Sequence, residues 1–443
     1  MNDKRHACWA GLVLAALSTT LHARPEATDV LPANDGWASL PTAALPQGTT
    51  GGSAAAPERV HTVRDRNELV AALAYPDPTP KIVRIVGRID ANIDAEGRTL
   101  SCDDYARPDP QTGTPYTLAA FLAAYDPATW GRVAPSGALE RARAASAAAQ
   151  QARVRIRIPA NTTVIGVGRD ASLHGAWFDI RPGSSSGNQP MNVIVRNLSF
   201  QDSYDCFPQW SPNDGAEGNW NSAYDAISVR NATHVWIDRN EFRDAVTDDA
   251  SLPSYFGRLY QIHDGLVDVT NESDLVTVSW NRFARHDKAM LIGSSDSATA
   301  DRGKLRVSLH HNLFHDLGQR VPRVRYGQVH VYNNLYVVGA EGASRYAYSW
   351  GVGVESQIYA QNNHFLVDRA LTPALFVDRL NGSRIQARGT LRNGWPVDPV
   401  AAYNAVNDVD LVDTVDWTPT LYRRIDPTWS VPLLVLFGAD PQR

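Results

Sequence analysis

The chain has 443 residues, a formal net charge of −5 and 43% hydrophobic residues. Such a length ordinarily means two or three domains, unless a repetitive architecture lets one core extend. An acidic chain of this kind is not expected to bind nucleic acid, and after the first residues no apolar run approaches the roughly 20 needed to cross a bilayer.

The opening "MNDKRH" followed by "ACWAGLVLAALSTTLHA" joins a short basic start, an apolar run and a small-residue boundary near Ala23. This pattern predicts a signal peptide over residues 1–23 and a secreted protein, extracellular or periplasmic. Cys8 leaves with the signal, so Cys102 and Cys206 remain in a compartment where disulfides form. They can pair or stay as two buried thiols; neither has a metal-ligand spacing such as CxxC.

Residues 24–57 are rich in Ala, Pro, Gly, Ser and Thr, end in "PQGTTGGSAAAP" and follow no period of two or 3.6, which predicts a flexible linker. "RDRNELVAALAY" then predicts an N-terminal capping helix, with Asp65 as N-cap, Leu69, Val70 and Leu73 apolar, and Pro76 as stop. "KIVRIVGRID" alternates as a strand. Residues 98–152 read as an insertion whose Ala-rich "GALERARAASAAAQQAR" favours a helix.

From residue 153 the texture changes to short β-branched runs. Asn240, Asn281, Asn312, Asn334 and Asn363 are each followed two positions later by an aromatic, and Asn197 by Phe200 at plus three. Successive gaps of 43, 41, 31, 22 and 29 residues describe a unit of 22 widened by loops, the signature of a solenoid. Stacked rungs place the amides and aromatics in internal ladders about 4.8 Å apart, with asparagine at a tight bend. The predicted fold is all-β, a right-handed parallel β-helix with a helical insertion, filling residues 58–443 as one domain with 368–443 as C-terminal cap.

Registered by these asparagines, Asp225 and Asp264 open successive strands, fifteen residues before Asn240 and seventeen before Asn281. Four residues of extended chain span about 13 Å, so Asp264 and Asp268 share an ion only if Gly265 bends the chain. Three carboxylates from two rungs would then suit Ca²⁺, whereas no His or Cys in the pattern calls for zinc. Ordinary loop aspartates are the plainer reading of that spacing. Lys288 lies seven residues after Asn281 and Arg320 eight after Asn312, so the register stacks them. Arg325 follows in "QRVPRVRYG". Surface ion pairs would account for these cations; an edge alternating carboxylates and cations would instead suit an extended acidic ligand.

Weaker signals remain. "GVGRDA" reads as a turn, His310 and His311 as packing residues, and Asp202, Asp205 and Asp214 as a solvated acidic loop in which Asp214 can serve an auxiliary, substrate-bound ion.

The ordered motifs "NVIVRNLSF", "DAISV", "VWID", "HDGLVDV", "SDLVTVSWNRF", "HDKAMLIGSSDS", "LHHNLFHD" and "QRVPRVRYGQVHVYNN" resemble the pectate lyases of polysaccharide lyase family one. The resemblance implies Ca²⁺-dependent β-elimination of polygalacturonate, giving 4,5-unsaturated products. It matches Asp225, Asp264 and Asp268 to calcium ligands, Lys288 and Arg325 to contacts with substrate carboxylates, and Arg320 to the base. Arg239 stands after "VWID" where the family usually has His. A monomer acting on polysaccharide is expected. The rivals are a pectin lyase for methyl-esterified chains, which needs no calcium carboxylates, a β-helical glycosidase with paired carboxylates, and a non-catalytic polysaccharide-binding module.

Overall fold

The computed structural model describes residues 26–183, 187–245, 249–343 and 345–439; the expected signal peptide lies outside them. Its strands stack in parallel ladders. One ladder runs through Arg155–Ile158, Trp177–Ile180, Ile227–Arg230, Val267–Thr270, Leu291–Ile292, Arg323–Val324, Trp350–Gly353 and Val377–Leu380. Two more are joined where the long strand Thr162–His174 pairs first with Gln189–Arg196 and then with Ser199–Gln201. These stacked parallel ladders make a parallel β-helix. Inward Val, Ile, Leu and Phe side chains from all three fill one continuous core.

The corner between the second and third ladders is built by the asparagine repeat. Asn240 N donates to Asn281 Oδ1 at 2.8 Å, Asn281 N to Asn312 Oδ1 at 2.9 Å, Asn312 N to Asn334 Oδ1 at 3.0 Å and Asn334 N to Asn363 Oδ1 at 3.0 Å. The left-handed residue is the one before each asparagine: Arg239 (φ 50°), Trp280 (56°), His311 (56°), Asn333 (52°) and Asn362 (50°). The bend thus falls one position earlier than the sequence suggested, which frees the asparagine to turn its amide into the core. Asn197 (φ 58°) occupies this corner position instead of the ladder, level with Arg239, because Ser199 pairs with Glu241. Leu198 takes the ladder place, which explains Phe200 at plus three. Phe200, Phe242, Phe283, Phe314, Tyr336 and Phe365 then stack one on the next, with centroids 4.3 to 5.2 Å apart.

The helix Arg66–Leu73 caps the N-terminal end. Asp65 accepts from Glu68 N as N-cap, and Leu69 and Leu73 enter the core, whereas Val70 faces outward. The C-terminal helix Val431–Gly438 lies against the side of the β-helix, packing Val431 and Val435 on Leu313 and Leu335.

The flexible linker expected over 24–57 is not found in its described part. Residues 26–56 lie along the β-helix, with Thr50 N and Gly51 N donating to Asn192 Oδ1 at 2.7 and 2.8 Å, Ala38 N to Thr277 Oγ1 and Trp37 N to Ser308 Oγ at 3.0 Å. The small residues that suggest flexibility here permit close approach instead: a Cβ on Gly52 would lie 1.9 Å from the Lys81 carbonyl oxygen.

The insertion folds onto the loops that lead to Asp225. Its main helix, Ala138–Val154, buries Ala142, Ser146, Gln150 and Val154 at helical spacing, and Arg143 beside them. Gln150 holds both Tyr204 O and Cys206 N, Arg143 Nη1 donates to Phe207 O, and Tyr224 Oη donates to Ala147 O. Cys102 and Cys206 form a disulfide. Phe121 and Tyr125 join Trp210, Trp220 and Tyr260 in a second apolar cluster. A helix that alanine favours locally becomes, by packing, the brace of the loop preceding Asp225.

Candidate active site

Asp225 lies two residues ahead of Ile227–Arg230, and Asp268 lies inside Val267–Thr270, level with Ser228. By the same register Asp225 is level with Gly265, so Asp225 and Asp264 are offset by one residue. Gly265 is the pivot. Its N–H donates to Asp225 Oδ1 at 3.0 Å, and a Cβ there would lie 2.7 Å from Asp225 Oδ1 and 2.6 Å from Asp268 Oδ1. The two carboxylates therefore converge on the space a glycine leaves. Ser228 Oγ donates to Asp225 Oδ2, and Leu291 N donates to Asp268 Oδ1 at 3.0 Å. Burial, mutual repulsion and the nearby charge of Asp264 push both carboxyls well above the usual carboxylate range. The Asp264 carboxylate itself turns to Lys288, with Oδ1 3.1 Å from Nζ.

Lys288 is level with Gln319, not with Arg320, so the stacking expected of the two cations is off by one step. The register runs unbroken from Arg282 level with Leu313 to Lys288 level with Gln319, so Arg320, eight residues after Asn312 against seven from Asn281 to Lys288, falls one step further on, in a left-handed turn (φ 59°). Arg320 is half-buried, its Nε has no hydrogen-bond partner among the described residues, and its charge reaches Asp268. Arg325, after the short strand Arg323–Val324, is buried, pairs through Nε with Asp296 and donates from Nη1 to Gly293 O at 2.9 Å. Burial, with Arg325 and Arg320 alongside, pushes the Arg323 guanidinium down. An acidic chain thus gathers three arginines close to one another, and one of them, Arg320, acts on Asp268.

Asp214 is exposed in the turn of the hairpin Gln209–Ser211 and Asn219–Asn221, and its carboxylate makes no hydrogen bond or ion pair among the described residues. Asp202 and Asp205 are not the solvated loop expected. Both are buried, and Asp205 accepts from Phe207 N at 2.8 Å and Ala223 N at 3.2 Å. Burial pushes its carboxyl up to about 6.

Sequence reasoning missed a second group. His286 Nδ1 lies 2.8 Å from Asp244 Oδ2 and its Nε2 lies 2.7 Å from the carbonyl oxygen of Asp264, so His286 ties that rung to the site. Burial lowers its basicity, but Asp244 more than offsets this and the imidazole is raised to about 9. The available signals were "IHDG" and "RHDK", each with His beside or near a site residue. A separate cavity of about 440 Å³, lined by Arg302, Lys304, Gln357 and Arg384 among others, contains none of the predicted site residues.

The pectate lyase family model matches residues 132–405, a span holding every residue placed above at the carboxylate and arginine edge. The chain belongs to the pectate lyase family. It is 45% identical over 407 residues to a pectate lyase of Bacillus subtilis, covering 90% of each chain, and 33% identical over 398 residues to pectate lyase E of Dickeya dadantii, covering 88% of this chain and 80% of the other. A solved pectate lyase bound to a hexasaccharide superposes with a TM-score of 0.86 at 44% identity, covering 94% of this chain and 98% of that one. The chain is accordingly a polysaccharide lyase with the parallel β-helix fold of its family. Among the described residues no helix is long and apolar enough to cross a membrane.

Proposed function

We propose that this pectate lyase is a secreted, monomeric enzyme that cleaves α-1,4-polygalacturonate by Ca²⁺-dependent β-elimination. The observation that carries the reading is the convergence of Asp225 and Asp268 on Gly265 beside Arg320 and Lys288. Two crowded carboxylates with a third, Asp264, adjacent fit a hard dication: they offer oxygen only, and their repulsion is relieved by positive charge. Asp225, Asp264 and Asp268 would hold Ca²⁺, and Asp214 an auxiliary ion shared with substrate. Bound there, Ca²⁺ supplies charge that draws electron density from a uronate carboxylate.

The remaining work falls to the side chains of this chain. Lys288 and Arg325 engage uronate carboxylates, orienting the sugar and stabilising the anion that develops at C5. Arg320 removes the C5 proton onto a guanidine nitrogen. The C5–H electron pair becomes the C4=C5 double bond, the C4–O bond breaks, and the departing oxygen takes a proton from water. An arginine is a base only in its neutral form, whose fraction rises with pH, so an alkaline optimum follows.

Mass spectrometry of the oligosaccharides tests the reaction type, because elimination ends are lighter by one water than hydrolysis ends. Only hydrolysis ends would sink the reading. Cleavage confined to methyl-esterified pectin would transfer the assignment to a pectin lyase, and binding with no new chain ends to a non-catalytic module.

A further inference from the structure

Behind the Asp264 backbone lies a buried set of donors that the elimination mechanism does not use. One carboxylate oxygen of Asp202, one of Asp244 and one ring nitrogen of His263 lie within 4.8 Å of one another. All three residues are buried, at 4%, 7% and 1% exposure. They come from three separate segments: Asp202 follows Ser199–Gln201, Asp244 follows Glu241–Arg243, and His263 immediately precedes Asp264.

Each is held from behind. Ala245 N donates to Asp202 Oδ1 at 2.8 Å, His286 Nδ1 lies 2.8 Å from Asp244 Oδ2, and His263 Nδ1 lies 2.7 Å from Asp249 Oδ1. With Nδ1–H donated to Asp249, the neutral His263 ring carries its lone pair on Nε2. That nitrogen is buried and has no hydrogen-bond partner among the described residues. Nδ1 also lies 3.7 Å from Asp244 Oδ2, so the ring sits against the Asp244 carboxylate. A histidine with one nitrogen fixed by a carboxylate keeps the other available as a metal ligand. His174 adds a second imidazole, its Nδ1 3.6 Å from Asp202 Oδ2. A cavity of about 300 Å³, lined in part by Asp244, Asp249 and His286, reaches one of the three donors.

The geometry points to a second metal site, formed by Asp202, Asp244 and His263, for a divalent first-row transition cation such as Zn²⁺. The donor set separates it from the calcium carboxylates, since a mixed imidazole and carboxylate site suits Zn²⁺ better than Ca²⁺, which takes oxygen alone. Two ligands each about 2.1 Å from one ion stand at most about 4.2 Å apart, so donors within 4.8 Å of one another need only a small shift to close on an ion. The occupant would stiffen the junction that carries Asp264 and, through His286, its carbonyl oxygen. The reading rests on no step of the lyase mechanism.

The test uses the full-length protein saturated with Ca²⁺ and titrated with Zn²⁺ by calorimetry, with bound metal counted by mass spectrometry. The site predicts one Zn²⁺ per chain that excess Ca²⁺ does not displace, with affinity falling at least tenfold in His263→Gln and in Asp202→Asn. Co²⁺ in place of Zn²⁺ should give a visible absorption band that His263→Gln alters. Should His263→Gln fail to fold, judged by near-ultraviolet circular dichroism, Asp202→Asn carries the test. No stoichiometric Zn²⁺ binding, binding displaced by Ca²⁺, or binding unchanged in a folded variant would each overturn the proposal and leave a hydrogen-bonded network of imidazoles and carboxylates.

Discussion

Lys288 Nζ and Asp264 Oδ1 lie 3.1 Å apart, so a cation proposed to meet substrate and a carboxylate proposed to meet Ca²⁺ hold each other. The Asp264 side chain is 31% exposed and that of Lys288 only 8%. Asp264 is therefore the member with room to turn away when ligand and metal arrive. Lys288→Met should release it, strengthening Ca²⁺ binding to the free protein by a few-fold while raising KM for polygalacturonate at least tenfold. Calorimetry beside steady-state kinetics checks both directions; a Ca²⁺ affinity that weakens would contradict the exchange of partners.

Asp225 and Asp268 repel each other without a cation between them, so neutralising one should stabilise the calcium-free protein. Asp268→Asn is expected to raise Tm in chelator by ~1–2 °C, the scale of about 1–2 kcal/mol in a chain of this length. It should lower Ca²⁺ affinity at least tenfold. A stabilised protein that bound Ca²⁺ as before would remove Asp268 from the ligand set.

Gly265→Ala inserts a methyl group 2.6 to 2.7 Å from both carboxylates. We expect cleavage to slow at least a hundredfold with the far-ultraviolet spectrum intact, since the clash is with side-chain oxygens converging on one point. Normal turnover would mean that the pair does not act as a unit.

Much of this was legible in the sequence, and the misses have separate causes. Spacing from Asn240 and Asn281 placed Asp225 and Asp264 on one edge, and the "HDGLVDV" glycine was the right pivot. Spacing was off by one residue at Arg320, where counts of seven and eight from the ladder asparagines do not fall level, and at Asn197, where the asparagine sits in the left-handed corner and Leu198 takes the ladder place. Composition failed for residues 26–56, where small residues mean close packing, and for Asp202 and Asp205, where an acidic stretch suggests solvation although tertiary contacts bury it. The Asp244, Asp249, His263 and His286 group was invisible for another reason: its members sit on different rungs, and only the fold brings them together.

The disulfide closes a long loop, Cys102 and Cys206 being 104 positions apart, and fastens the insertion to the approach to Asp225. Cys102→Ser with Cys206→Ser should lower stability by about 2–4 kcal/mol. Faster proteolysis should begin in residues 98–152. Limited proteolysis with and without reductant reads this out, and cleavage elsewhere first would show that helix packing alone holds the insertion.

Burial pushes His330 down to about 3, and His310, packed beside His311 and His330, well below its ordinary value. The unfolded chain takes up these protons near pH 6.5, whereas the folded chain does not. Their contribution to stability is thus complete above pH 6.5 and is lost as pH falls toward 3, by about 1.4 kcal/mol per pH unit for each proton. Half-buried Asp35, pushed up to about 6, acts in the opposite sense, so the comparison has to be made between variants. His330→Gln should show a shallower loss of Tm below pH 6.5 than the parent chain; parallel profiles would mean that His330 is protonated in the folded state.

Arg320 carries the central claim. The decisive measurement is ultraviolet absorbance of unsaturated uronate on polygalacturonate at alkaline pH, for the parent protein and Arg320→Ala, with Ca²⁺ and with chelator. The account predicts a rising signal for the parent that chelator abolishes. For Arg320→Ala it predicts turnover slower by roughly a hundredfold to ten-thousandfold with KM nearly unchanged, the loss that removal of a general base brings. A parent signal that persists in chelator, or an Arg320→Ala enzyme that loses affinity but keeps its turnover rate, would contradict it.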